Sequence, residues 1–359
     1  MKFLRCYPSV FVIGKSYEIT LNAYEKGIFA INVGNKIYYE QNSGVLSSEK
    51  KYAKIRIPQK ALDKYQEYRV IFRKTIERTD YFSKFEDEVD AKFSFKPLTK
   101  KNNINIYHIG DVHSRFDLAH KCASYFQDDL DILIVNGDIC EVKAMEDYIN
   151  VFKFLGDFTK GYLPIIFARG NHDTRGNLAE IFTDFFPSNN KKTFYEFTLG
   201  CLNGIVLDLG EDKVDSHPEY NNCNNFKEFR KEQLKFLKRI KLDNSKINFV
   251  VTHMSHVEKS KFEGCCFDDE RPVYVGYNQE LERNKIDFML TAHKHQAYVL
   301  EANNEDKSLI KHNYPIIVGT ACYFEEDLWG TAITIKDNAI IFKFTDTSHR
   351  VRDTFEIKK

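Results

Sequence analysis

The sequence has no excess of either charge, since 52 Lys and Arg residues balance 52 Asp and Glu residues in a chain of 359. Proteins that bind nucleic acid through its phosphate backbone carry a concentrated basic face, so this balance of charges argues against a nucleic-acid partner. No uninterrupted apolar run approaches the roughly 20 residues that span a bilayer, which argues against a membrane partner. The apolar run near the start is broken by Arg5, Pro8 and Lys15, a pattern that is not typical of a secretory signal.

Cysteine pairs at metal-binding or redox spacing are also missing. The eight cysteines are scattered, none forms a CxxC pair, and Cys265 and Cys266 are adjacent, too close to bridge easily. Reduced thiols are the simplest interpretation, and they predict a cytoplasmic protein. We find no internal repeat, no low-complexity tract and no signal of an oligomeric state.

The composition of the chain changes after about residue 98, and the length of the chain favours two domains. Residues 1–98 contain short β-branched and aromatic segments with partial period-two alternation, such as "SYEITLNAY", "GIFAINV" and "YAKIRIP". This pattern predicts an all-β sandwich of fibronectin-like or immunoglobulin-like size. A proline followed by a polar, basic run then predicts a linker at residues 99–103, before a second domain at residues 104–359.

The second domain alternates apolar strands with amphipathic helical segments. The five most apolar strands are "NINIYHI", "DILIVN", "LPIIFAR", "INFVVT" and "IDFMLT". Continuous apolar strands alternating with helices indicate sheets that are buried on both faces. The sequence therefore predicts an α/β (α+β) fold, in which a two-sheet β core is flanked by helices.

Each of these five strands is followed at once by polar side chains. A single such residue is usually a turn residue, and "GNHD" after the third strand also suits a plain loop. Five in succession favour a site, which open α/β sheets place beyond the carboxyl ends of their strands. We therefore expect the polar side chains to meet at one end of the sheet: Asp111, His113, Asp138, Asn171, His253, His293 and His295.

In this order the motifs resemble those of the calcineurin-like metallophosphoesterase superfamily. The family pattern D-x-H, GD, GNH followed by Asp or Glu, an isolated His and GHxH stands here as "GDVH", "GDIC", "GNHD", "THMS" and "AHKH". The resemblance covers about residues 104–345. In the last motif Ala292 replaces a glycine, which is tolerable if its backbone keeps a negative φ.

The resemblance implies a site for two divalent metal ions, Mn, Fe or Zn, which suit mixed oxygen and nitrogen ligands. It assigns the first ion to Asp111, His113, Asp138 and His295. It assigns the second ion to Asp138, Asn171, His253 and His293, so that Asp138 bridges the two. His256 is a weaker alternative to His253, since only His253 directly follows its strand.

The resemblance also implies a reaction in which metal-bound hydroxide attacks phosphorus. His172 would then be the general acid for the leaving group, and Asp173 would orient it and raise its pKa. Arg115, Arg175 and Lys294 adjoin the motifs and are candidate phosphate contacts, although surface solvation is the default for such side chains. The segments "DSHPEYNNCNN" and "EKSKFEGCCFDDERPVYVGYN" are expected to be loops over the site.

Two departures from the motifs of known branches narrow the choice of branch within the superfamily. The second motif reads "GDICEVK", not the "GDxxDRG" of protein Ser/Thr phosphatases, and Glu141 stands where purple acid phosphatases have their iron-binding tyrosine. The β-rich front segment is similar in outline to the fibronectin-like domain of purple acid phosphatases. The resemblance thus implies a hydrolase of small phosphomonoesters or phosphodiesters, nucleotides included. A manganese-dependent nuclease and a metal-binding scaffold whose β domain binds a protein are the alternatives.

Overall fold

A computed structural model describes residues 2–40, 43–258, 265–304, 306–323 and 327–358. Its strands are β1 (Ser9–Ile13), β2 (Ser16–Asn22), β3 (Gly27–Val33), β4 (Lys36–Tyr39), β5 (Tyr52–Pro58), β6 (Glu67–Glu77), β7 (Lys84–Phe85), β8 (Val89–Ser94), β9 (Ile104–Ile109), β10 (Ile132–Asn136), β11 (Pro164–Ala168), β12 (Tyr195–Leu199), β13 (Leu202–Leu207), β14 (Ile247–Thr252), β15 (Phe288–Thr291), β16 (Tyr298–Leu300), β17 (Ile316–Val318), β18 (Ala321–Tyr323), β19 (Asp327–Ile335), β20 (Ala339–Thr345) and β21 (Val351–Lys358). Its α-helices are α1 (Gln59–Tyr65), α2 (Phe116–Ala123), α3 (Met145–Thr159), α4 (Phe182–Phe185), α5 (Phe226–Leu237), α6 (Cys266–Asp269) and α7 (Arg271–Arg283). Short 3₁₀ helices cover Ser124–Asp129, His172–Thr174, Ala179–Ile181 and Pro218–Tyr220.

Two large sheets form the centre of the molecule. The ten-stranded sheet has the order β21-β20-β19-β9-β10-β11-β1-β2-β5, with β18 paired to β19. The six-stranded sheet has the order β12-β13-β14-β15-β17-β16. Strands β9, β10 and β11 run parallel to one another, as do β13, β14, β15 and β17.

Alternate side chains of each sheet enter different cores. On β10, Ile134 packs into the cluster shared by both sheets, while the preceding Leu133 packs with residues of α2 and α3. On β14, Phe249 joins the same central cluster, while Val250 packs with residues of α5 and α7. Both faces of each sheet are therefore covered, which explains the continuous apolar runs. The predicted two-sheet core with flanking helices is confirmed.

The five apolar strands are present as predicted, but they do not belong to one sheet. Strands β9, β10 and β11 lie in the ten-stranded sheet, and β14 and β15 lie in the six-stranded sheet. The loops after them meet because the two sheets bring their carboxyl ends together. Across that junction the backbone N–H of His293, after β15, donates to the Asp111 carboxylate, after β9, at 3.0 Å. The expectation that all five strands end at the same edge of one sheet was wrong, because an apolar run does not specify which strand pairs with it.

The N-terminal segment contributes strands to the ten-stranded sheet. Strand β1 pairs in parallel with β11, Val10 opposite Pro164 and Phe11 opposite Ile165, and β2 and β5 follow it. A sandwich confined to residues 1–98 is therefore wrong for these three strands. Every residue of β1 is buried, so its sequence lacks the alternation of a half-exposed strand.

The other N-terminal strands form a separate five-stranded sheet of order β4-β3-β6-β7, with β8 on β6. Its buried side chains, such as Ile31 and Val70, belong to the same cluster as Ile55 of β5. The predicted linker at residues 99–103 has no regular structure, and Lys100 forms an ion pair with Asp131 at 3.0 Å.

Of the two predicted loops, the second is largely helical. Helices α6 and α7 occupy residues 266–269 and 271–283, so the loop expectation is wrong there; residues 259–264 lie outside the described part. Tyr274, Tyr277 and Leu281 of α7 are fully buried. Their spacing of three and four residues is the stripe of an amphipathic helix.

Candidate metal centre

The predicted ligands occupy strained turns directly after their strands. Five of them have left-handed backbones: Asp111 (φ 52°), His113 (φ 45°), Asp138 (φ 51°), His293 (φ 69°) and His295 (φ 52°). Outside glycine this conformation is uncommon and costs on the order of 1 kcal/mol per residue, and such strain clusters at functional sites. The structure tolerates the cost where it turns side chains back toward one point.

Two glycines let the second and third motifs touch. A methyl group on Gly137 would lie 2.5 Å from the Cα of Gly170, and one on Gly170 would lie 2.2 Å from Oδ1 of Asp138. Real side chains do not fit at such distances, so both positions need glycine. This contact places Asp138 beside Asn171, which follows Gly170. Ala292, in contrast, has no positive φ and is accommodated as expected.

Asp138 lies at the centre of the cluster. Its Oδ2 atom is 3.2 Å from Nε2 of His253, 3.9 Å from Nε2 of His113 and 4.0 Å from Nε2 of His172. His113 and His253, which the resemblance assigned to different ions, thus both lie near this one oxygen, and the bridging role of Asp138 stays a prediction.

A second group of donors surrounds Asp111. Its Oδ1 atom lies 3.5 Å from Nε2 of His295 and 3.8 Å from Nε2 of His253. The Nε2 atoms of His113 and His295 are 3.4 Å apart. Three groups have ligand atoms that all lie within 4.8 Å of one another: Asp111, His113 and His295; His113, Asp138 and His172; Asp138, His253 and His293.

These donors fit divalent cations. The Nδ1 atom of His253 donates to the backbone oxygen of Asn136 at 2.7 Å, which leaves the Nε2 lone pair for a metal. That Nε2 atom is buried and satisfies no hydrogen bond among the described residues, although it lies 3.2 Å from Oδ2 of Asp138. The Asn171 Oδ1 atom lies 3.1 Å from Nδ1 of His293, so these two predicted ligands also adjoin.

The electrostatics also favour positive charge at this point. Burial disfavours the imidazolium of His253, yet the Asp138 carboxylate more than compensates and raises the pKa of His253 to about 10. Burial likewise opposes ionisation of Asp138, but the neighbouring His253 holds the pKa of that carboxyl below its usual range. For His293 burial dominates, and its pKa falls well below the usual value. A neutral imidazole is the form that binds a metal, so a cation bound here would replace the proton that the carboxylates hold on His253.

Thr320 and Asn136 support the site, and the motifs did not reveal them. The Thr320 hydroxyl donates to Oδ2 of Asp111 at 2.5 Å, and Asn136 fixes the ring of His253. Thr320 closely follows the apolar strand β17 in "IIVGT", so the rule that found the other strand-end residues would have found it.

Asp173 does not have the predicted role. Its buried carboxylate accepts backbone N–H groups from Gly170 at 2.8 Å, Asp138 at 3.0 Å and Ile139 at 3.3 Å. The carboxylate therefore clamps the second and third motif loops together instead of orienting the ring of His172. Burial, together with the Asp138 charge, raises the pKa of Asp173 to about 6.

His172 lies at the rim of the cluster. Its side chain is 40% exposed, and its backbone N–H donates to Oδ1 of Asp138 at 2.8 Å. Its Nε2 atom lies 3.4 Å from Nη1 of Arg175. The predicted acid therefore faces both the metal centre and solvent, as a proton donor to a substrate must.

The three predicted phosphate contacts differ in what they touch. The Arg115 guanidinium donates to the backbone oxygens of Val112 and Asp111, at 3.0 and 2.7 Å, so it stabilises the first motif loop. Arg175 lies beside His172, and Lys294 follows His293, whose pKa its charge helps to lower after the larger effects of burial and His253.

His256 is not part of the cluster. It is fully buried, with its ring 6.2 Å from that of Tyr274 and 5.6 Å from that of Tyr277. The choice of His253 over His256 agrees with this geometry.

A mixed α/β fold with an Asp, Asn and His cluster at its strand ends is the arrangement of a metallophosphoesterase. Residues 104–297 match the family model described as calcineurin-like phosphoesterase, and the chain belongs to this family. The family uses a dimetal centre, and the chain is a metal-dependent phosphoesterase.

Two solved structures share the fold over nearly the whole chain. A purple acid phosphatase, PPD1 from yellow lupin (Lupinus luteus), is 14% identical with a TM-score of 0.63, covering 98% of this chain and 74% of its own. PhoD is 10% identical with a TM-score of 0.61, covering 100% of this chain and 91% of its own. No curated protein matches the chain. Within the described ranges, no helix has the length and apolar character needed to cross a membrane.

Proposed function

We propose that the protein is a dimetal hydrolase of small phosphomonoesters or phosphodiesters, with nucleotides among its candidate substrates. The observation that carries the proposal is the convergence of three imidazole Nε2 atoms within 4.0 Å of one oxygen of Asp138. The eight free cysteines support the further proposal of a reducing, cytoplasmic location.

Seven side chains would hold the two ions. Asp111, His113, Asp138 and His295 would bind the first, and Asp138, Asn171, His253 and His293 would bind the second. Two bound divalent ions supply water activation and stabilise the charge on the phosphoryl oxygens. Oxygen and nitrogen donors without a thiolate suit Mn, Fe or Zn.

The chain's own contribution is proton transfer to the leaving group. During hydrolysis, the bond from phosphorus to the leaving oxygen breaks, a bond to a water oxygen forms, and the leaving oxygen must gain one proton. A position of His172 beside the leaving oxygen is supported by the 4.0 Å from its Nε2 atom to Asp138 and by the 40% exposure of its side chain. We assign it as the general acid, and the carboxylate of Asp173 holds the loop that positions it.

The test is the variant His172→Ala, assayed with p-nitrophenyl phosphate and an alkyl phosphate in manganese, zinc and iron. A general acid matters most when the leaving group is a poor one. We therefore expect turnover of the alkyl phosphate to fall by about 10²–10⁴-fold, with a smaller loss on the nitrophenyl ester and unchanged metal content. The matched control is His120→Ala, an exposed histidine of α2, which should behave as wild type. Equal alkyl phosphatase activity in His172→Ala and wild type would refute the assignment.

A further inference from the structure

A small cavity lies beside His172. It measures about 80 Å³ and is lined by residues 140–143 on one side and by Arg175 and Gly176 on the other. His172 also lines it, but none of the seven predicted metal ligands does. In the proposed reaction His172 protonates the leaving group, so a leaving group that extends past His172 would enter this cavity.

Arg175 is held rigidly at the wall of this cavity. Its Nε and Nη2 atoms donate to the two carboxylate oxygens of Glu211, at 2.6 and 2.7 Å. The Glu211 side chain is completely buried, and it also accepts the hydroxyls of Thr174 at 3.1 Å and Tyr220 at 2.9 Å. Four donors therefore fix the carboxylate, and the carboxylate fixes one edge of the guanidinium.

The other end of the guanidinium points to the cavity. Its Nη1 atom lies 3.4 Å from Nε2 of His172, and the Arg175 side chain is 37% exposed. Lys143 also lines the cavity, but it is 74% exposed and pairs with Glu141 at 2.8 Å, a surface ion pair that contributes little. Arg175 is thus the fixed cationic donor on the cavity side of His172.

We propose that Arg175 binds an anionic leaving group, so that the enzyme prefers substrates whose leaving group carries a carboxylate or is itself a phosphate. A planar guanidinium held on one edge keeps further N–H donors for such an anion. The cavity volume suits a small anionic group. This inference rests on the proposed function, because it requires hydrolysis with His172 as the acid.

The experiment compares matched substrates. Ethyl phosphate and 2-phosphoglycolate differ in having a methyl group or a carboxylate on the leaving side, and pyrophosphate offers a phosphate there. The kcat/KM values are measured for wild type, Arg175→Gln and Arg175→Lys. Because every variant meets the same substrates, the intrinsic reactivity of each leaving group cancels when ratios are compared.

We expect Arg175→Gln to lower the preference for 2-phosphoglycolate over ethyl phosphate by about tenfold or more, the effect of one charge-assisted hydrogen bond. Arg175→Lys should retain part of it. A loss with 2-phosphoglycolate alone supports carboxylate recognition, and a loss with pyrophosphate alone supports phosphate recognition. An equal fall on all three substrates, or an unchanged ratio, overturns the proposal. If wild type hydrolyses no phosphoester, the proposed function itself fails.

The single variant leaves Glu211 buried without its cation. A double variant, Arg175→Gln with Glu211→Gln, removes both charges and is expected to fold, because replacing both partners avoids an unpaired buried charge. Calorimetric binding of phosphonoacetate and ethylphosphonate gives a second readout without turnover. We expect wild type to bind phosphonoacetate more tightly than ethylphosphonate, and the double variant to lose this preference. The control variant Arg69→Gln removes a surface arginine paired with Asp90 and should keep the preference. An equal preference in wild type and the double variant would contradict the role of Arg175.

Discussion

Gly176 lines the cavity beside His172 and lies against the backbone of Val142 in the opposite wall. The structure therefore gives the free-energy cost of a side chain at this position. Its φ is +91°, which side chains rarely adopt, and a methyl group would lie 2.2 Å from the backbone oxygen of Val142. The backbone strain costs about 1–3 kcal/mol. The clash adds about 1–3 kcal/mol, because the backbone of residue 142 cannot rotate away as a side chain would.

We therefore predict that Gly176→Ala lowers the free energy of unfolding by about 2–6 kcal/mol. Gly44→Ala is the matched control, because Gly44 has a φ of +86° and no atom lies within 4 Å of the added methyl group. It should lose only the strain energy. The effect of alanine on the unfolded chain is similar in both variants and cancels in their difference.

Urea unfolding of both variants measures the difference, and kcat/KM on an alkyl phosphate shows whether the cavity walls have moved. Gly176→Ala should be less stable than Gly44→Ala by at least about 1 kcal/mol, the lower bound of the clash. It should also lose activity, since residues 142 and 176 must separate. Equal destabilisation of the two variants would show that the walls are not in contact, and would refute the reasoning.

Three further predictions concern the supports of the site and the core. Asp173→Asn should weaken metal binding by about 10–100-fold and slow good and poor leaving groups alike, because the clamp on Asp138 loosens; a loss confined to poor leaving groups would instead indicate direct orientation of the acid. Thr320→Val should lower metal affinity by a similar factor in calorimetric titration, because Asp111 loses its hydroxyl donor; unchanged affinity would contradict this. Burial lowers the pKa of His256 to about 3, so the unfolded chain takes up a proton before the folded protein does. The contribution of neutral His256 to the free energy of unfolding is complete above about pH 6.5 and decreases by about 1.4 kcal/mol per pH unit below that. Urea unfolding between pH 6.5 and 4 should therefore show that His256→Phe lacks this part of the pH dependence. The same pH dependence in the variant and in wild type would refute the prediction.

The residues of the Asp and His cluster could be found from the sequence because the necessary signal is local. An apolar strand followed at once by Asp or His, as at Asp111, Asp138 and His253, places the polar side chain at a strand end whatever its neighbours are. The stripe of α7 was also visible at Tyr274, Tyr277 and Leu281, but we interpreted the segment as a loop because it is polar.

Contacts between distant segments could not be predicted in this way. The role of Asp173 depends on the backbone N–H groups of Asp138 and Ile139, about 35 residues earlier in the chain, and on the approach of Gly137 to Gly170. The pairing of β1 with β11 joins residues about 150 positions apart, and neither strand carries a feature that specifies the other. Parallel pairing of two fully buried strands leaves no alternation to compare.

The position of β1 between β11 and β2 has a consequence for synthesis and for dissection of the protein. The first strand leaves the ribosome roughly 150 residues before its parallel partner β11, so until then it can pair only with β2, which in turn pairs with β5. Removal of the first 98 residues would strip three strands from the sheet and expose the N–H and C=O groups along β11, an edge that invites aggregation. The front segment thus supplies three of the ten strands of the sheet that carries Asp111 and Asp138, and the phosphoesterase should not fold stably without it.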